Sequence, residues 1–171
     1  MATPTTDPTS MPLDIRAATP ADFPHIQRIE CADAAREGGP APEPNALREY
    51  WFGSAIHPYV AEQDGEVIAV FRVRPIRDGE GAHVAHASFV VEPAHRGNGV
   101  GSRMAERAVD EAHRLGFRAM QFGFVPCTRA GSVALWQRLG FAIVGTLPGC
   151  YRDPGRGDVD AYVLHRELGR A

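Results

Sequence analysis

The residues best suited to chemistry in this chain form a short glycine-rich segment. It lies in VVEPAHRGNGVGSRM, residues 90–104, where an apolar run ends and a helix-like pattern soon begins. Glycine weakens ordinary helices and strands, but it lets a backbone approach a ligand closely. Free N–H groups at a helix start attract anions, so the segment predicts a phosphate site. Its distinctive residues are Arg96, Gly97, Gly99 and Gly101.

Three phosphate-binding patterns compete for this segment. A Walker loop ends in Gly-Lys-Ser/Thr, whereas Gly101 is followed by Ser102 and Arg103. A dinucleotide fingerprint has the spacing G-x-G-x-x-G, but the spacing here is G-x-G-x-G. The third pattern, R/Q-x-x-G-x-G/A, is matched in full from Arg96 to Gly101. An ordinary helix start beside a flexible loop is the structural alternative.

The size and composition of the chain indicate a single globular domain around this loop. The chain has 171 residues, of which 44% are hydrophobic and 23% charged. We place this domain at residues 13–171, after a Pro-, Thr- and Ser-rich N-terminal tail, residues 1–12, that we expect to be disordered. The net charge of −3 argues against nucleic acid or an anionic membrane as a partner. Three cysteines without metal spacing favour a reduced, cytoplasmic setting.

Hydrophobic periodicity predicts a mixed α/β layer of about seven strands and four helices. A strand and a helix that begins after Thr19 are followed by a second short helix. A hairpin at Asp64-Gly65 and a further strand lead into the glycine loop and a third helix. A fifth strand, a fourth helix ending at Gly140 and two last strands complete the order. We predict no metal site.

The chain resembles the GNAT family of acyl-CoA N-acyltransferases over roughly residues 13–168. FVVEPAHRGNGVGSRM resembles the family's strand 4 and pyrophosphate loop, and GSVALWQRLGFAIVGTLPG resembles its later helix and strand 6. The segments YVAEQDGEVIAVFRVRP and DVDAYVL are similar to those of a bacterial branch and of fungal enzymes that acetylate proline-like imino acids.

This resemblance implies acetyl-CoA as the acetyl donor and a small-molecule amine as the acceptor. Strands 4 and 5 would splay apart after Val91, and the pantetheine arm would pair with the freed backbone of strand 4, like an added strand. The residues implied in cofactor binding are Phe89, Val90, Val91, Arg96, Gly97, Asn98, Gly99, Val100, Gly101 and Ser102. A homodimer is left open.

Acetyl transfer also requires proton movement, and three residues are hypothesised to supply it. His83 and His86 fall on the predicted strand 4, and imidazole has a suitable pKa for taking an ammonium proton. They are three residues apart and therefore face opposite sides of a regular strand. Tyr151 lies in a predicted Pro- and Gly-rich loop that could cover the acceptor. Alternatively, all three are ordinary surface residues.

Several residues depart from the pattern of the resembled family. Trp136 stands where many members have a tyrosine acid, and indole cannot donate a proton near neutral pH. His86, Gly123 and Arg129 stand where this branch often has asparagine. The leading hypothesis is a small-molecule N-acetyltransferase acting by direct attack. The alternative is a non-catalytic, acyl-CoA-binding regulatory module on the same fold.

Overall fold

The structure, a computed structural model, describes residues 12–169. Within this range four α-helices, α1 to α4, span Phe23–Arg36, Pro44–Phe52, Val100–Arg114 and Ala130–Arg138. Seven strands, β1 to β7, span Asp14–Ala17, His57–Gln63, Glu66–Pro75, Val84–Val91, Ala119–Pro126, Ala142–Asp153 and Gly157–Glu167. The predicted N-terminal tail lies outside the described residues, Pro12 excepted. No helix between residues 12 and 169 has the length and apolar character of a membrane span.

The strands form one mixed sheet in the order β1-β2-β3-β4-β5-β7-β6. All neighbouring strands are antiparallel except β4 and β5, which are parallel. The β2–β3 hairpin turns at Asp64 and Gly65, whose φ angles of 54° and 79° suit a tight primed turn. The predicted mixed fold of seven strands and four helices is confirmed.

Helices cover both faces of the sheet because neighbouring strand residues point to opposite sides. On one face Ile26, Ile29 and Trp51 from α1 and α2 pack against a β2–β3 cluster that includes Val70. On the other face Met104 from α3 packs in the larger core that contains the next residue along β3, Phe71. The sheet therefore separates two buried cores.

The β6–β7 hairpin is longer than the sequence predicts. Of residues 149–155, predicted as a loop over the acceptor, those up to Asp153 belong to β6, and Tyr151 pairs with Val159 of β7. The register shifts between Leu147 and Tyr151, which accommodates Pro148 and its missing N–H group. The loop assignment of Tyr151 is therefore wrong, because antiparallel pairing with the long β7 extends the strand past the proline.

Candidate active site

A gap between β4 and β5 forms the centre of the candidate site. The two strands are paired only through Val84 with Ala119 and Ala85 with Met120. Their separation therefore begins after Ala85 and not, as predicted, after Val91. His86 is the first residue of β4 beyond this pairing. There a side chain and not the backbone makes the contact with β5, because His86 Nδ1 lies 3.1 Å from the Gln121 carbonyl oxygen.

The free edge of β4 presents alternate backbone groups to this gap. Val84 O accepts a bond from Ile76 N, and Glu92 N donates to Ile68 O, so even-numbered residues of β4 face β3. The N–H and C=O groups of Phe89 and Val91 therefore face the gap, as an added strand requires. Val90 has the opposite parity, pairs with Val70 and packs against the α1–α2 core. The N–H and C=O groups of Val90 therefore do not face the gap, and its assignment to cofactor binding stays a prediction.

A cavity of about 630 Å³ occupies the gap, within the size range of small-molecule sites. Strands β3 and β4 contribute Arg74, His86, Ser88 and Phe89, and β5 contributes Phe122 and Phe124. Trp136 of α4 closes one wall of the cavity. The centroid of its ring system is 4.2 Å from the Phe122 ring centroid and 5.6 Å from that of Phe89. These contacts make Trp136 part of the cleft wall.

His86 is placed to act as a base in this cavity. Because the Gln121 carbonyl can only accept a hydrogen bond, His86 Nδ1 carries the proton, and Nε2 keeps a free lone pair. Burial lowers the pKa of His86; the Gln121 bond opposes this effect, and the charges of Arg74 and Arg72 add to it. These influences favour a neutral ring near pH 7, the form that can accept a proton.

His83 lies outside the cavity. It occupies the turn before β4, is exposed, and has Nδ1 3.0 Å from the Glu80 carbonyl oxygen. Its own carbonyl accepts a bond from Arg118 N at the end of the sheet where β4 and β5 are joined. The placement of His83 on strand 4 was therefore wrong, since the strand begins one residue later.

Tyr151 lies beside the site without lining the cavity. Its ring centroid is 6.0 Å from that of Phe124, and its hydroxyl group is 3.4 Å from Arg129 Nη2. Both neighbours border cavities around the gap. The proposed role of Tyr151 in proton transfer stays a prediction.

Two arginines on β3 were missed by the sequence reasoning. Arg74 lines the cavity, and Arg72 lies two residues earlier on the same strand face. Arg72 is only 5% exposed; it donates to Tyr50 O at 2.6 Å and stacks 3.3 Å from the centre of the Tyr50 ring. Its Nε has no hydrogen-bond partner among residues 12–169, and burial lowers the pKa of Arg72. The alternation in VFRVRP was the available signal.

The acidic neighbour of Arg72 is engaged elsewhere. Glu30 of α1 accepts a 2.9 Å hydrogen bond from the indole N–H of Trp51. Burial raises the pKa of Glu30. Trp51 itself is fully buried and packs in the core beneath α1 and α2.

The glycine loop has the geometry of an anion cradle. Gly97 and Gly99 have φ angles of 82° and 78°, which favour glycine, and Gly99 is the N-cap of α3. Arg103 N donates to Gly99 O, so the N–H groups of Val100, Gly101 and Ser102 lack partners inside the helix.

Gly101 gives an independent test of whether a ligand fits here. Its φ angle is not in the left-handed region, and a Cβ built on it would meet no atom within 4 Å. Neither backbone strain nor crowding within the described protein requires glycine at this position. The open space in front of helix N–H groups fits the diphosphate of acetyl-CoA.

Arg96 and Asn98 complete the predicted loop. Arg96 Nε donates to Val91 O at 3.0 Å, and its guanidinium forms an ion pair with Asp33 of α1. The side chain thus ties the loop to both β4 and α1. Asn98 is exposed in the turn between the two glycines of positive φ.

Comparison with known proteins identifies the family. Residues 23–141 match the sequence profile of the Acetyltransferase (GNAT) family. The N-acetyltransferase aca1 of Schizosaccharomyces pombe is 30% identical over 136 residues, covering 79% of this chain but only 59% of the yeast protein. A GCN5-related N-acetyltransferase from Kribbella flavida is similar in structure, with a TM-score of 0.82 and 38% identity over 91% of this chain and 97% of that one.

A further solved structure contains the acetyl donor. It is a phosphinothricin acetyltransferase from Sinorhizobium meliloti in complex with acetyl-CoA, and it is similar with a TM-score of 0.77 and 26% identity over 92% of this chain and 89% of that one. The chain therefore belongs to the Acetyltransferase (GNAT) family, as its glycine loop predicts.

Proposed function

We propose that this protein transfers the acetyl group of acetyl-CoA to the amine of a small molecule that also carries a carboxylate, such as an amino acid. The observation that carries this proposal is the direct pairing of Arg74 with His86 across β3 and β4. Both side chains line the same cavity. A base and an anion-binding group are thus cross-strand neighbours, whose Cβ atoms lie roughly 5 Å apart in such pairs.

The charges beside the cavity favour an anionic acceptor. Among the described residues, neither Arg72 nor Arg74 has a carboxylate within 4.0 Å. Arg74 donates to the Pro75 carbonyl through one nitrogen, which leaves its other donors available. A guanidinium offers two parallel N–H groups to a carboxylate, so Arg74 would bind the acceptor and Arg72 would add positive potential behind it.

The residues of the chain can meet the chemical demands of the reaction. Acetyl-CoA, when bound, supplies an acetyl group activated as a thioester. His86 Nε2 would accept the proton that the acceptor ammonium loses before or during attack on the carbonyl carbon. Backbone N–H groups of β4 that face the gap would stabilise the developing oxyanion. As the C–N bond replaces the C–S bond, protonated His86 can return this proton to the thiolate, and the second proton that the nitrogen loses passes to solvent. A tyrosine at position 136 is then not required.

The surroundings support direct attack and an amino-acid-like acceptor. The described cavity lining contains no cysteine, and Cys150 is exposed on β6. A covalent acetyl-cysteine step therefore has no nucleophile in the cleft. The Sinorhizobium relative carries the name of an enzyme for phosphinothricin, which is itself an α-amino acid.

Thiol release from acetyl-CoA tests the proposal. We expect amino or imino acids to be acetylated with kcat/KM about tenfold or more above their amides, because a charge-assisted contact to Arg74 is lost with the carboxylate. Arg74→Gln should remove this preference. Arg77→Gln, an equal charge change in the exposed turn after β3, is the control. Equal rates for acids and amides would refute the acceptor class, and no thiol release with any amine would refute small-molecule acetyl transfer.

A further inference from the structure

A second cavity extends from the cleft to the glycine loop. Its volume is about 320 Å³, and Phe89 lines both it and the cleft. The loop contributes Gly97 and Gly101, and β4 contributes Val91, whose backbone faces the gap. The path from the cleft to the cradle therefore runs through this cavity. On the α4 side of the path stands Arg129.

The charges that line this second cavity do not balance. Three arginines, Arg36, Arg96 and Arg129, face two carboxylates, those of Asp33 and Glu37. Asp33 is paired with Arg96 and Arg36, and Glu37 is paired with Arg36. The acidic residues thus hold two of the arginines in place, and they do not neutralise the third.

Arg129 is the arginine of this cavity that forms no salt bridge among the described residues. Its guanidinium has no carboxylate within 4.0 Å among residues 12–169, and its one side-chain contact there is the 3.4 Å approach of Nη2 to the Tyr151 hydroxyl. That distance is long for a hydrogen bond. Arg129 is exposed and immediately precedes α4, so little packing holds its side chain away from the cavity.

We propose that Arg129 binds the diphosphate of acetyl-CoA from the α4 side of the gap, opposite the N–H groups of the glycine loop. This inference rests on the proposed function, because it takes the loop as the diphosphate site. The loop supplies neutral dipoles, and Arg129 supplies a full positive charge across the cavity from them. Arg129 is then a cofactor-binding residue that reaches the cavity from the turn between β5 and α4.

Calorimetric binding of three ligands tests the inference without turnover. CoA carries a diphosphate and a 3′-phosphate, dephospho-CoA carries the diphosphate alone, and pantetheine carries neither. We expect Arg129→Gln to weaken CoA and dephospho-CoA by the same factor, about tenfold for a partly exposed charged contact, and to leave pantetheine unchanged. The dependence of the CoA dissociation constant on salt should also become shallower.

Two further variants exclude indirect effects. Arg138→Gln makes the same change in the last turn of α4, away from the cavity, and should leave all three affinities unchanged. Tyr151→Phe removes the only side-chain contact described for Arg129 and should leave CoA affinity within about twofold.

The outcomes separate this inference from the proposed function. Equal CoA affinity in Arg129→Gln and Arg138→Gln overturns the role of Arg129. A loss confined to CoA overturns the diphosphate assignment and places Arg129 at the 3′-phosphate. If the unchanged protein binds dephospho-CoA no better than pantetheine, the glycine-loop site itself is wrong, and the proposed function fails with it.

Discussion

Replacing Gly101 should affect the stability of the protein and its affinity for CoA in opposite directions. The position lies in the first turn of α3, has no left-handed φ and faces open space. Gly101→Glu and Gly101→Gln should each stabilise the ligand-free protein by about 0.5–1 kcal/mol through helix propensity. The glutamate should add about 0.3–1 kcal/mol more, because a negative charge at a helix start is favourable.

Binding should respond to the charge of the new side chain. At a CoA concentration of about 100 times Kd, ligand binding stabilises a protein by roughly 2.7 kcal/mol. For a domain of this size, that corresponds to a rise in Tm of roughly 5–10 °C. Gly101→Glu places a carboxylate where the diphosphate would bind, so we expect this rise to disappear. The glutamine side chain of Gly101→Gln is as long as glutamate but uncharged, so this variant should keep at least half of the CoA-induced rise in Tm.

The assay is thermal unfolding with and without CoA for the three proteins. Gly101 is a better position than Gly99, because φ of 78° at Gly99 would mix backbone strain with lost binding. If Gly101→Glu shows the same CoA-induced rise in Tm as the unchanged protein, the diphosphate does not lie at this helix start. A lower Tm of ligand-free Gly101→Gln would show that the space in front of Gly101 is not open.

Three further predictions concern the cleft and the fold. Because burial lowers the pKa of His86, kcat/KM should rise with pH through a midpoint below 6.5. His86→Gln should abolish this rise. The same pH dependence of kcat/KM in the variant would exclude His86 as the base. Trp136→Tyr should leave kcat unchanged or reduce it, and lost packing should lower the free energy of unfolding by about 1–2 kcal/mol. A clear rise in kcat with Tm preserved would contradict this prediction. The Arg16 guanidinium lowers the pKa of Asp22. The ionised Asp22 therefore stabilises the folded state at pH values above the ordinary Asp pKa, and this stabilisation is lost as the pH falls through the lowered pKa. Asp22→Asn should cost about 2 kcal/mol at pH 7 and flatten this dependence, as urea unfolding at pH 7 and pH 3 would measure; equal pH dependence would refute it.

Local signals in the chain were sufficient for the loop and for most elements. The turn at Asp64-Gly65 and the glycine spacing from residue 97 to 101 depend on backbone preferences within a few residues. Such preferences act before any tertiary contact forms, and the structure reproduces both features. The β6 strand shows the limit of local signals. Pro148 and Gly149 indicate a loop, but pairing with β7 extends the strand to Asp153.

The sequence by itself determined the family, the glycine loop at the start of α3 and the alternation that places Arg72 and Arg74 on one face of β3. These properties depend on short-range spacing. The tertiary structure decided which residues meet in the cleft. The β3–β4 register sets Arg74 opposite His86, and the loss of β4–β5 pairing after Ala85 opens the cavity at His86 and leaves His83 outside. Register and strand separation arise from contacts between distant segments, and shifting a strand by one residue would turn every side chain to the other face.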